Sequence, residues 1–452
     1  MASTYLTRTI SDGSNTKSTF SAWVKRSGLG ATSSTQYLFH TSENSNNDVK
    51  ILFNSQDVLR VVGVVSSSTV MELTTNRKFR DITAWYHIVV TIDTTESTAA
   101  DRVKMYINGV QETSFSTATY PAEDYASLRL NNNGDRRTIG TVYDGGGSAG
   151  SGYFVGSMSH VHWVDWTAYQ ASTFGSTDAT TGEWKINTSP TLTMGTNGFT
   201  ILKDGNTITD QSANSNDFTL GAGTLINTED CPSNVFCTLS SLGYAAASFT
   251  LIEGNNYSGG ADNNWRSIFG TLGAKSGKYY YEMKCIGSSD YERFGACTVD
   301  QANKCTANTG RYDDSGYGSE GYGYTSDGEK SNNGGTSGGY GDTWGANDIL
   351  SCAIDLDNNK IYFGKNGTWQ NSGDPTSGST GTGAAYTIAS DKFYIPAFAS
   401  YGAAANLAFN FGNGYFRTTA ISSEGTNASG IGKFEYDVPA GYTALSTKGL
   451  NE

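Results

Sequence analysis

The chain alternates apolar and polar residues in short runs, each closed by Gly, Asn, Asp or Ser. In the first half such runs are Val49-Lys-Ile-Leu-Phe53, His87-Ile-Val-Val-Thr-Ile-Asp93, Val103-Lys-Met-Tyr-Ile107 and Met158-Ser-His-Val-His-Trp-Val164. The second half adds Tyr279-Tyr-Tyr-Glu-Met283, Ile349-Leu-Ser-Cys-Ala-Ile-Asp355, Lys360-Ile-Tyr-Phe363 and Ala405-Asn-Leu-Ala-Phe-Asn-Phe411. A period of two puts alternate side chains on opposite faces of a strand, so each run predicts a strand with one face in a core. No amphipathic helix stands out; the best candidate, Ala168 to Phe174, covers at most two turns. Asn108-Gly109 supplies the left-handed residues of a tight hairpin turn, and Asp357-Asn358-Asn359 marks a second hairpin. Many strands joined by turns, without intervening helices, predict an all-β protein built from antiparallel sandwiches.

Composition sharpens this picture. The chain has 452 residues, and its 37% hydrophobic share is enough to build a core. The polar segment Asn227-Thr-Glu-Asp-Cys-Pro-Ser-Asn234 separates two strand-rich blocks, which predicts domains over 1–226 and 247–452 with a linker over 227–246. Only 16% of residues are charged, and the net charge is −13. An acidic balance without a Lys/Arg cluster gives no footprint for a nucleic-acid backbone. No stretch approaches the roughly 18 consecutive apolar residues of a membrane span. The opening residues lack the basic and apolar blocks of a secretory signal, so an exterior location calls for another exit, such as lysis of the producing cell. The six cysteines, Cys231, Cys237, Cys285, Cys297, Cys305 and Cys352, include no C-x-x-C pair. Cys285 and Cys352 sit in apolar runs, as buried free thiols do.

Catalytic patterns are sparse. A sandwich glycosidase places carboxylates at alternate positions of one strand, about 5 Å apart, and no Glu-x-Asp-x-Glu string occurs. Asp355 and Asp357 have that spacing but lead into a hairpin turn. There is no Gly-x-Ser-x-Gly elbow, and Gly270-Thr-Leu-Gly-Ala-Lys-Ser276 is too short for a phosphate loop. A non-enzymatic protein is the expectation. His160 and His162 share a strand face, as two metal ligands would, but with no third ligand nearby. Asp210, Ser212, Asn214 and Asn216 alternate like part of a calcium loop; an Asx-type turn accounts for them equally. No other cofactor is expected. Between Arg311 and Trp344 lies a loop in which Tyr312, Tyr317, Tyr322, Tyr324 and Tyr340 alternate with Gly, Ser, Asp and Asn, ending at Trp344. Stiff aromatic rings on an adaptable backbone suit ligand contact, and these six residues are the candidate binding site. The alternative is a loop held down by its own aromatics or packed on a neighbouring subunit.

Longer strings add a resemblance. Thr19-Phe-Ser-Ala-Trp-Val-Lys25, Trp85-Tyr-His-Ile-Val-Val-Thr-Ile-Asp93 and Val103-Lys-Met-Tyr-Ile-Asn-Gly109 resemble core strands of laminin-G/concanavalin A-like lectin domains. Gly156-Ser-Met-Ser-His-Val-His-Trp-Val-Asp165, Phe174-Gly-Ser-Thr-Asp178, Thr181-Gly-Glu-Trp-Lys185, Gly195-Thr-Asn-Gly-Phe199, Asp210-Gln-Ser-Ala-Asn-Ser-Asn216 and Asp230-Cys-Pro-Ser-Asn234 resemble a variant frequent in marine bacteriophage proteins. In the second block, Ser276-Gly-Lys-Tyr-Tyr-Tyr-Glu282, Tyr322-Gly-Tyr-Thr-Ser-Asp-Gly-Glu-Lys330, Gly341-Asp-Thr-Trp-Gly345, Asp348-Ile-Leu-Ser-Cys-Ala-Ile-Asp-Leu-Asp357, Lys360-Ile-Tyr-Phe-Gly-Lys-Asn-Gly367, Tyr394-Ile-Pro-Ala-Phe398 and Ala408-Phe-Asn-Phe-Gly412 resemble a SPRY domain. Together these imply two concanavalin A-like, jelly-roll sandwiches in tandem that bind rather than catalyse. The phage resemblance implies a virion structural protein: a tail fibre, adhesin or capsid-attached fibre. Its partners would be other virion proteins, copies of itself in a homo-oligomer, and a bacterial surface glycan or receptor protein. A decoration or packing protein without a receptor is the alternative, with a polysaccharide depolymerase third. Assembly would take place in the host cytoplasm, with release by lysis.

Overall fold

The computed structural model describes residues 4–29, 35–143, 152–203, 205, 207–240, 250–252, 257–259, 265–287, 291–305, 310–314, 316, 318–401 and 406–451. It is nearly all-β, and its two compact units divide between Asn227 and Thr228. In the first unit, two antiparallel sheets enclose one core. One sheet runs Phe115–Thr119, Ser68–Lys78, Val58–Val65, Asn47–Phe53, Gln36–Asn44, Arg136–Ile139, Tyr5–Thr9 and Thr219–Ala222. The other runs Phe199–Ile201, Gly156–Asp165, Lys17–Arg26, Trp85–Asp93, Val103–Ile107 and Val110–Glu112.

Alternation explains which side chains meet. Phe20, Ala22 and Val24 from one central strand and Ile88, Val90 and Ile92 from its neighbour point into the core. The intervening Ser21, His87 and Thr91 face the other way, yet they too are buried. A covering segment accounts for this: the Thr19 hydroxyl donates to the Thr167 carbonyl and the Thr91 hydroxyl to the Tyr169 carbonyl, both at 2.8 Å. Trp184 Nε1 donates to His87 Nδ1 at 3.0 Å. The Asn108-Gly109 hairpin forms as expected, with φ of 48° and 80° joining Ile107 to Val110. Gly109 answers two demands, since a Cβ there would also lie 2.3 Å from the Trp184 ring.

The second unit is again two sheets around a core. Lys278–Cys285 is central in one sheet, flanked by Ile349–Asp355 and Asn406–Asn410. Tyr394–Tyr401 and Glu292–Thr298 are central in the other, continuing through Gly321–Thr325, Lys330–Asn332 and Gly335–Ser337. Those last three strands lie where the sequence predicts only a loop. Glycine hides them from pattern reading, because it has low strand propensity yet allows close backbone approach. A Cβ on Gly323 would sit 2.7 Å from the Tyr312 hydroxyl and one on Gly321 2.1 Å from the Tyr312 carbonyl.

Two further expectations need correction. The expected linker is part of the second unit over its described residues 228–240. Phe236 bridges to Ser446, Leu239 bridges to Gly270, and Cys237 N donates to the Leu445 carbonyl at 2.9 Å. Its residues 241–246 lie outside the described set. The helix candidate near Ala168 is a single 3-10 turn, Ala171–Thr173. The α-helix among the described residues is Val299–Lys304, capped by the Thr298 hydroxyl accepting from Gln301 N; at six residues it is too short to show a period. All six cysteines are free thiols, and burial pushes those of Cys285 and Cys352 up to about 12.

Glu282 gives the second unit a pH dependence. It points away from the core and is covered by the C-terminal segment. Its carboxylate accepts from Glu435 N and Tyr436 N at 2.9 Å and from Asn410 Nδ2 at 3.2 Å, with the Tyr280 hydroxyl at 2.9 Å. Burial outweighs these hydrogen bonds and pushes the carboxyl from 4.5 up to about 7. A raised folded value favours the neutral acid, so its stabilisation is complete below about pH 4.5 and is lost as pH rises through 7. Stability of the wild type relative to Glu282→Gln is therefore expected to fall by about 3 kcal/mol between pH 4.5 and 8, measured by urea denaturation. A difference independent of pH would contradict this.

Candidate binding site

The tyrosine-rich segment does not present its rings to a ligand. Tyr312, Tyr322, Tyr324, Tyr340 and Trp344 are all buried; Tyr317 lies outside the described residues. Tyr324 stacks on Phe363 at 5.9 Å, and Tyr340 meets the same ring edge-on at 6.2 Å. Tyr322 packs on Tyr386 and Tyr394, and the Tyr340 hydroxyl accepts from Phe363 N at 3.1 Å. Burial holds the Tyr312, Tyr322, Tyr324 and Tyr340 hydroxyls above their ordinary range. The five described rings therefore hold the segment down as core, which corrects their assignment as ligand contacts. A Tyr/Gly/Ser composition is common to a binding loop and to a glycine-bearing strand roofed by tyrosines.

The 210–216 loop is a hydrogen-bonded clasp. Asp210 Oδ1 accepts from Thr200 N and Ser212 N, both at 2.9 Å; Oδ2 accepts from the Ser212 hydroxyl and Asn216 N, both at 2.8 Å. Asn216 Nδ2 donates to the Thr196 and Gly198 carbonyls, while its Oδ1 accepts from the Arg8 guanidinium at 2.6 Å. Each carboxylate oxygen thus already takes two protein donors, and a fixed cation sits on the neighbouring oxygen. The set Asp210, Ser212, Asn214 and Asn216 does not fit a calcium ion, which needs several open oxygens; the Asx-type turn is what forms.

That clasp forms one wall of a cleft of about 320 Å³ in the first unit. Its lining includes His162 and Thr200 from adjacent strands, Lys203, Gln211, Ser212 and Asn214 from the clasp side, and Thr188, Pro190, Leu192 and Met194 from the covering segment. Register explains how His162 reaches it. The strand Gly156–Asp165 bulges between Ser159 and His162, with His160 at a φ of 49°, while Val161 and Trp163 remain in the core. A bulge inserts a residue, bends the strand and re-aims a side chain. His162 is only 3% exposed, and its Nδ1 lies 2.8 Å from the Thr200 hydroxyl. Its Nε2 has no hydrogen-bond partner among the described residues, and the residue lines the cleft. Burial, with His160, His87 and Lys203 adding to it, brings the ring down to about 3, so it stays neutral.

The rings of His160 and His162 lie 6.4 Å apart, and His160 Nδ1 is 2.7 Å from its own neighbour, the Ser159 hydroxyl. No group of three or more His, Cys, Asp or Glu able to hold a metal occurs among the described residues. Of the cleft residues, sequence reasoning singled out His162, Ser212 and Asn214, each for a metal. Lys203, Gln211, Thr188 and Leu192 carry no local signal, because they come from irregular stretches within 188–214 that meet only when folded beside the strand of His162.

Residues 2–172 match the model of the concanavalin A-like lectin/glucanases superfamily, and residues 278–414 match that of the SPRY domain. The cleft walls over 188–214 lie beyond the first match. No curated protein matches the sequence. The SPRY domain of human HERC1 is 13% identical, with 38% of this chain and 93% of that chain covered and a TM-score of 0.29. A native heptameric SAP-like pentraxin from Limulus polyphemus is 16% identical, covering 41% and 86% at 0.30. Domain 4 of AbnA, a GH43 extracellular arabinanase from Geobacillus stearothermophilus solved with arabinotriose, is 21% identical, covering 35% and 65% at 0.26. The chain thus carries an N-terminal laminin-G/concanavalin A-like domain and a C-terminal SPRY domain.

Proposed function

We propose that the chain is a non-enzymatic binding protein of a bacteriophage particle, a tail fibre, adhesin or capsid-attached fibre, that engages a glycan or protein on the bacterial surface. Two domains of binding families in tandem support this reading, as do the low charge and the phage-like strings through Asp230-Cys-Pro-Ser-Asn234. The observation that carries it is the cleft lining: imidazole, ammonium, hydroxyl and amide groups beside small apolar side chains, with no carboxylate among the lining residues. Such a mixture orients and holds a small polar ligand. Glycoside hydrolysis needs a pair of carboxylates across the bond, which this lining does not supply. Other virion proteins and further copies of the chain are its proposed partners, and the particle its location.

The test is to incubate purified protein with host surface polysaccharide, measuring bound saccharide and new reducing ends together. Retention without new ends is expected. Release of reducing ends would replace this reading with a depolymerase. Absence of the chain from purified particles would remove the virion assignment.

A further inference from the structure

Three groups on the cleft wall have unused polar capacity, and each is of a different kind. His162 Nε2 has no partner among the described residues, while the ring is fixed through Nδ1 by Thr200 and packed on Phe174 at 5.5 Å. Asn214 Nδ2 donates to the Gly195 and Gly198 carbonyls, and its Oδ1 takes no donor among the described residues. Lys203 anchors its backbone N to Gln211 Oε1 at 2.9 Å, and its ammonium has no carboxylate within ion-pair distance among the described residues. Thr188 and Ser189 add hydroxyls from the facing wall, and Pro190, Leu192 and Met194 give an apolar strip.

Resting on the binding function proposed above, we infer that the cleft takes an anionic sugar residue, its ring hydroxyls at His162 Nε2 and Asn214 Oδ1 and its acidic group at Lys203. A sugar ring presents hydroxyls on its rim and C–H groups on its faces, matching polar groups set around an apolar strip. The volume lies at the lower end of the roughly 300–1,000 Å³ of small-molecule sites, suiting a short segment of a chain rather than a folded partner. The lining lacks the aromatic slot that holds a nucleobase and the arginine fork that grips phosphate. A lone ammonium is a point charge that serves a carboxylate or a sulfate alike.

Calorimetric titration of the full chain with three probes separates these features: a galacturonate trisaccharide, a sulfated dextran oligosaccharide and neutral maltotriose. At least one anionic probe is expected to bind about tenfold or more tightly than maltotriose. Lys203→Met should remove that preference while leaving the melting temperature unchanged. Ala213→Trp, which fills the cleft from an exposed lining position, should abolish binding of every probe. Equal affinity for charged and neutral probes, or no response to Lys203→Met, would overturn the anionic assignment and leave saccharide binding standing. Failure of all three probes would overturn the inference too. If host surface polysaccharide also fails to bind, the function proposed for the chain falls with it.

Discussion

Asn131→Ala is expected to destabilise the first unit by about 4 kcal/mol, because it leaves several buried polar groups without partners at once. The Asn131 side chain is fully buried between segments far apart in sequence. Its Nδ2 donates to the Ser14 carbonyl at 2.6 Å, to Asp165 Oδ1 at 3.0 Å and to the Ser18 hydroxyl at 3.1 Å. Its Oδ1 accepts from Arg137 at 3.0 Å and from Trp163 Nε1 at 3.1 Å. Asp165 in turn accepts from Ser14 N at 2.8 Å and Asn197 N at 3.2 Å, tying the end of one strand to two turns. Arg137 lies fully buried over the Trp163 ring at 4.5 Å; burial brings it down to about 9, which leaves it charged at neutral pH. Removing one member of such a network costs far more than a surface hydrogen bond, since its desolvated partners have no water to turn to. In calorimetry of the full chain, the transition of the first unit should fall by roughly 8–16 °C. A shift of one or two degrees would mean that the network is not a major source of stability.

Tyr324→Ala should have a comparable effect on the second unit, about 4 kcal/mol, the usual range for truncating a buried aromatic ring. Tyr324 is 0% exposed, packs against Phe363, Tyr340 and Trp344, and donates its hydroxyl to the Asp342 carbonyl. Tyr324→Phe keeps the ring and loses that one bond, so about 1 kcal/mol is expected. Melting temperature and saccharide binding should be measured on the same samples. A ligand-contact role would give the opposite signature: an unchanged melting temperature with binding lost.

The contrast between these two regions shows what pattern reading can and cannot reach. Val103–Ile107 and Ile349–Asp355 coincide residue for residue with their predicted strands, because alternation and turn chemistry point the same way. Gly321–Thr325 was not legible, since its glycines answer to the backbone of neighbouring strands and its tyrosines to a core that sequence spacing does not encode. The 227–246 segment reads as a linker from its Pro and polar residues, yet Phe236 is anchored by Ser446 and Leu239 by Gly270, partners that lie further along the chain and carry no local signal. The cleft was legible only in part. His162 shows itself by alternation on a strand, whereas Lys203 becomes significant once folding sets it beside that ring.

The most direct test of the binding account is hydrogen–deuterium exchange on the full chain, with and without saturating host surface polysaccharide. Protection is expected to concentrate in 188–194 and 207–214, the two walls facing His162. Protection elsewhere, with these walls unchanged, would contradict the placement of the site in the first unit's cleft.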